Sequence, residues 1–142
     1  MKIFLLVAVV NLSIFQSYSQ NIKAENVPLV VRSALQQKYP AVRHVTWEKE
    51  KGNFEANWGG RSGEDTSVQF DPSGNFIEFS KSIPANKLPA ATLAYIKNHF
   101  KGVKVSEATK ITNASGKISY EAEVNRKDLL FDSEGKFLRT EN

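Results

Sequence analysis

The stretch Trp58-Gly59-Gly60-Arg61-Ser62-Gly63 has the residue types of a recognition loop. Three glycines in six residues are able to wrap a phosphate, but no Lys-Ser/Thr pair and no helix follows, so the mechanics of a phosphate loop are missing. Trp and Arg on a flexible hairpin loop suit a protein interface instead, through large contact area and forked hydrogen bonding. Partner contacts are therefore assigned to Trp58, Gly59, Gly60 and Arg61. Glu121 and Glu123 lie on one face of an alternating strand, about 7 Å apart. Paired carboxylates do acid-base work only where burial splits their pKa values, and the polar side of such a strand is expected to be solvated. The two histidines, His44 and His99, have no cysteine to join them, and their spacing gives no zinc site. Asp71-Pro72-Ser73-Gly74-Asn75 looks like the start of a calcium loop, but the strand resumes at once with Phe76 and Ile77. The same pattern at Asp132 to Gly135 marks it as a turn, where Asp caps the backbone and Gly takes positive φ. No Ser lies in a Gly-x-Ser-x-Gly elbow. No catalytic, metal-binding or cofactor-binding residue is assigned, and the protein is read as a non-enzyme that needs no cofactor.

Composition agrees with a small exported domain. Lys2, the apolar run Ile3 to Val10 and the small residues of Ser17-Tyr18-Ser19 predict a signal peptide over residues 1–19, cut after Ser19. The apolar run is broken by Asn11, Ser13 and Gln16 and is too short for a membrane span. Stable membrane insertion after removal of the leader is not expected. With no Cys, neither disulfides nor an N-terminal lipid anchor hold the mature chain. The net charge of +4 is spread without a basic run, which argues against nucleic acid as a partner. The predicted location is the periplasm or the exterior.

The elements that must carry these residues recur at an offset of 61 positions: Pro28 and Pro89, Tyr39 and Phe100, Phe70-Asp71 and Phe131-Asp132, Gly74 and Gly135. Such recurrence is a statement about architecture. Residues 20–26 read as a flexible mature N-terminus and 27–140 as one domain of two repeats, 27–81 and 88–140. Asn26 is placed to cap a helix bearing Val27, Val31, Ala34 and Leu35, and Leu93, Ile96 and Phe100 stripe a second helix. Alternation then sets in, at Phe54, Ala56 and Trp58, at Val68 and Phe70, and from Ile118 to Val124. The offset widens to 66 between Phe54-Glu55-Ala56 and Tyr120-Glu121-Ala122. The second copy thus has a longer first strand or hairpin, and the first copy has extra length at Trp58 to Glu64. The expected fold is α+β: a tandem repeat of a helix followed by an antiparallel meander, with the helices on one face of the sheet. Its core is Val31, Leu35, Tyr39, Trp47, Phe54, Phe70, Ile96, Phe100, Tyr120 and Phe131.

The exported, Cys-free pair of units closing on Phe-Asp-x-x-Gly-x-Phe, with Tyr39-Pro40, resembles the PepSY-like, β-lactamase-inhibitor-like (BLIP-like) proteins secreted by Bacteroidetes. The likeness spans Val27 to Arg139. It implies a binding module that inhibits or regulates a periplasmic or secreted enzyme such as a peptidase, with an envelope or secreted protein as partner. β-Lactamase inhibitor proteins bind through the open sheet face and hairpin loops; this chain lacks their disulfides, and no contact residue carries over. The alternative is a binder of a small ligand or envelope polymer in a groove on the sheet.

Overall fold

The computed structural model describes residues 19–141; apart from Ser19, the predicted signal peptide lies outside the described residues. Nine strands form one antiparallel sheet whose order is the order of the chain. They are β1 (Gln20–Ile22), β2 (Thr46–Glu50), β3 (Asn53–Trp58), β4 (Thr66–Phe70), β5 (Phe76–Ser82), β6 (Val105–Asn113), β7 (Ile118–Val124), β8 (Lys127–Asp132) and β9 (Phe137–Glu141). The helices are α1 (Leu29–Lys38) and α2 (Ala90–His99), each preceded by a short 3-10 turn, Ala24–Asn26 and Ala85–Lys87.

This corrects the expected α+β tandem of helix-plus-meander units. The described chain is mostly a single continuous sheet, and its α-helix is confined to two ten-residue segments. β5 pairs with β6 directly across the supposed boundary, from Glu78 opposite Asn113 to Ser82 opposite Thr109. The physical reason is edge closure: two separate meanders would leave β5 and β6 with rows of unpaired backbone groups, and joining them satisfies both rows. Residues 20–26 are likewise not a loose lead-in. Gln20, Asn21 and Ile22 pair with Lys49, Glu48 and Trp47, so the segment adds a strand to the open edge of β2.

Local departures have local causes. Asn26 does not cap α1; it ends the 3-10 turn, and Pro28 takes the cap position with its φ of −52°, a value the pyrrolidine ring imposes. Both helices end alike, with the N–H of Tyr39 on Leu35 O and that of Phe100 on Ile96 O. In α2 the buried residues are Thr92 and Ile96, whereas Leu93 is 37% exposed. The register shift is seen as β6 with nine residues against five in β2. Seven residues, 59–65, link β3 to β4, while Asn125 and Arg126 alone link β7 to β8. Both of those linkers take positive φ, as a two-residue hairpin requires.

Two apolar clusters stabilise the molecule. Val27, Val31, Leu35, Trp47, Phe54, Ala56, Val68 and Phe70 form the first. Leu88, Ile96, Ala108, Ala122, Val124, Leu129 and Phe131 form the second. Burial of a Phe or Leu contributes about 1.5–3 kcal/mol. Seven of the ten expected core residues are buried; Tyr39, Phe100 and Tyr120 are half-buried at the cluster margins.

Candidate functional site

Strand alternation puts the apolar side chains of β3, β4, β7 and β8 into these clusters and sends their neighbours to the other sheet face. That face is concave. It encloses about 1200 Å³ and is lined from β2, β3, β4, β5, β6, β7, β8 and β9 by polar side chains, among them Glu50, Glu55, Asn57, Glu78, Glu121 and Glu141. Its curvature is seen in the lining itself, since one concavity draws side chains from eight of the nine strands. Twist accumulated over nine strands brings the two ends of the sheet around toward one another.

Burial and crowding set the electrostatics. Glu55 is pushed up to about 7, first by loss of solvent and then by the Glu50 and Glu48 carboxylates on β2, with the Ser67 hydroxyl opposing. Glu121 is also pushed up to about 7, by burial and then by Asp128, Glu141, Glu78 and Glu50. Glu78 and Asp128 are raised for the same two reasons. A face of half-buried carboxylates that repel one another is a place where a positive charge would be stabilised.

The expectation that Glu121 is solvated is corrected in part, because on the concave face it is half-buried. Glu123 lies outside the concavity and accepts a hydrogen bond from the Ser106 hydroxyl at 2.7 Å. His44 is exposed, and His99 lies outside the concavity, stacked on Tyr95 at 4.0 Å. Asp71 is occupied by its own turn: its Oδ1 accepts the backbone N–H groups of Ser73 and Asn75, and its Oδ2 accepts the Asn75 side-chain amide. Asp132 does the same for Glu134 and Lys136, and Asn113 for Ser115 and Lys117. The third turn was legible from Ser115-Gly116, and Gly116 takes positive φ there as a tight hairpin needs.

The glycine loop borders the concavity. Trp58 is half-buried and packs on Tyr39, ring centres 5.3 Å apart, on the apolar side of the sheet. Arg61 is exposed at the tip, while Ser62, Glu64 and Asp65 line one rim of the concavity. Gly60 has a structural reason to be glycine: its φ is +65°, and a Cβ there would lie 2.1 Å from the Asp65 carboxyl. The sequence reading offered an open sheet face or a groove on the sheet as a binding surface but assigned none of the residues that line it. Their one signal was the recurrence of Glu55 as Glu121 within matching tripeptides.

The model of the family described as "Putative beta-lactamase-inhibitor-like, PepSY-like" matches residues 58–139. Among solved structures, a putative periplasmic protein from Bacteroides eggerthii superimposes with a TM-score of 0.70 at 22% identity, covering 82% of this chain and 88% of that one. A DUF2874 family protein from Bacteroides uniformis gives 0.68 at 22%, covering 81% and 88%. A BLIP-like protein from Bacteroides fragilis gives 0.59 at 20%, covering 79% and 83%. These likenesses are of fold. No curated protein matches the chain.

Proposed function

We propose a function from one premise: the chain belongs to the PepSY-like, β-lactamase-inhibitor-like family. It is an exported, non-enzymatic binding module that docks an envelope or secreted protein, an enzyme such as a peptidase, against the concave sheet face and thereby regulates or inhibits it. The periplasmic naming of a fold relative and the leader-like residues 1–19 support export. Among the described residues no helix is long and apolar enough to cross a membrane.

The observation that carries the reading is the concave face itself. Small-molecule sites are mostly apolar clefts of about 300–1,000 Å³ with a few polar groups; this one is larger, open and lined mainly by charged and polar side chains. Protein surfaces are recognised by such wide polar faces with hairpin loops at the rim. Arg61 is the contact residue of the loop, and Trp58 with Gly59 and Gly60 sets its path from below.

Photo-crosslinking in the envelope tests this. A photoreactive phenylalanine analogue replaces Ser80 or Leu138 on the concave face, or Leu29 on the far side, which is 69% exposed. Adducts to one protein from the two concave positions alone are expected, with fewer adducts after Arg61→Ala. Adducts from Leu29 and none from Ser80 or Leu138 would overturn the reading.

A further inference from the structure

Ten of the chain's fifteen Asp and Glu residues line the concavity, against four of its nineteen Lys and Arg. The protein as a whole is positive, so the face runs against the charge of the molecule that carries it. The segregation is produced by the fold, since these carboxylates come from seven strands and the loop between β3 and β4. They are also spread out: among the described residues no three of them converge tightly enough to hold a metal ion. A row of separated negative charges fits a row of separated positive ones.

Asn57 is the independent second feature. It is only 5% exposed and its side chain lines the concavity; no buried side-chain polar atom among the described residues is left unpaired, so its amide, which has no side-chain hydrogen bond within the fold, keeps its contact with the solvent of the concavity. Its strand neighbours are Thr46 and Ser67. A ligand that displaces this solvent must offer the amide both an acceptor and a donor, or leave it buried and unpaired at a cost in free energy. A peptide backbone offers both.

Resting on the docking face proposed above, we infer that the occupant is an extended segment of the partner protein bearing several Lys or Arg residues. Its cations lie among Glu50, Glu55, Glu78, Glu121, Asp128 and Glu141, and its backbone meets the Asn57 amide. In an extended segment alternate side chains point the same way about 7 Å apart, a spacing suited to a carpet of carboxylates on neighbouring strands. The basic groups already on the face leave this charge largely uncompensated. Arg139 is engaged with Glu141 at 2.5 Å, Lys51 acts on Glu78 alone among the raised carboxylates, and Lys81 and Lys117 lie at the lining with no carboxylate within ion-pair distance among the described residues.

Binding is then coupled to protons. Glu55 and Glu121 hold protons near neutrality because burial and the facing carboxylates raise them. An arriving cation favours their ionised forms, so protons leave on binding and affinity rises with pH from about 6 to 8.

The test uses the mature chain and three ten-residue peptides, alternating Lys-Ser, Gln-Ser and Glu-Ser, with binding followed by fluorescence anisotropy at constant ionic strength. The Lys-Ser peptide is expected to bind, more tightly at pH 8 than at pH 6, and to protect amides of β3 and β7 from hydrogen exchange. Glu55→Gln with Glu121→Gln, close in shape to the parent and so expected to fold, should weaken it about tenfold or more and flatten the pH profile. Asn57→Ala should weaken it without changing the salt slope, which diffuse attraction alone would not do. Equal binding of the Gln-Ser peptide, or wild-type affinity in both variants, would overturn the inference. Concave-face adducts in the envelope without Lys-Ser binding would leave the docking face standing and remove its cationic occupant; Lys-Ser binding without such adducts would support the cationic site and remove the protein-docking reading.

Discussion

The two apolar clusters meet the same packing problem with different chemistry at matched positions. In the second, Tyr95 on α2 stacks between neighbours, 4.6 Å from Phe137 and 5.6 Å from Phe131. The position 61 residues earlier is Ala34, and there the Lys38 ammonium reaches over the Phe76 ring at 4.3 Å. One cluster fills the space beside its hairpin Phe with an aromatic ring, and the other with a cation on a long aliphatic stem. Val31 and Thr92 differ in the same way. Both are fully buried, but the Thr92 hydroxyl donates to Gly135 O at 3.3 Å, whereas Val31 packs by shape alone. What is shared is position and volume; the particular interaction is not.

The largest test of this equivalence is truncation of the two hairpin aromatics. Phe70 and Phe131 are 1% and 0% exposed, and each change to Ala should cost about 3–5 kcal/mol by denaturant titration. A midpoint that falls for one variant and not for the other would show that the clusters do not share the load. The turn glycines should separate the halves. At Gly135 a Cβ would meet Pro89 Cβ at 2.7 Å and Thr92 Oγ1 at 2.8 Å; at Gly74 the nearest atom is Val30 O at 3.0 Å. Both residues have φ near +85°. Gly135→Ala should cost about 2–4 kcal/mol, and more than Gly74→Ala.

On the concave face Glu55 and Glu121 have like surroundings, and pH reveals it. Glu55 and Glu121 keep their protons to about pH 7 in the folded chain, against an ordinary value near 4.5. Between those values the unfolded chain releases protons that the folded chain retains, so stability falls as pH rises from about 4.5 to about 7 and then levels. Glu55→Gln and Glu121→Gln should each raise stability at pH 8 by on the order of 1–3 kcal/mol, with the gain gone by pH 4. Thermal melts across pH check this, and gains of unequal size would break the match. The smallest effect is expected from Thr92→Val, about 1 kcal/mol from a long hydrogen bond. No change at all would mean that Thr92, like Val31, acts by shape.

The strands and turns were legible because their causes are local. Alternation at Phe54, Ala56 and Trp58 assigns an inner face, and Asp-x-x-Gly in the turns at Asp71 and Asp132 needs only its own backbone. The spacing of Val31 and Leu35 likewise fixed the buried side of α1. Asn26 was misread for a local reason, the Pro28 ring two residues on, whereas Leu93 and the lead-in at Gln20 were misread because neighbours distant in the chain decide them: the depth at which α2 sits and the free edge of β2. The candidate site was the least legible part. Trp58 and Arg61 stand out by type, yet one lies inside and the other at a loop tip.

Determined by the sequence alone were the two periods, the turn positions, the buried aromatics and the charge on each strand. Only the tertiary structure decided that β5 joins β6, that the resulting sheet curls, and that Glu50, Glu55, Glu121 and Glu141 therefore face one another. Alternation along a strand says which side chains share a face, but it contains no term for how that face bends. Burial and repulsion among carboxylates up to 71 positions apart in the chain, as Glu50 and Glu121 are, depend on that bend.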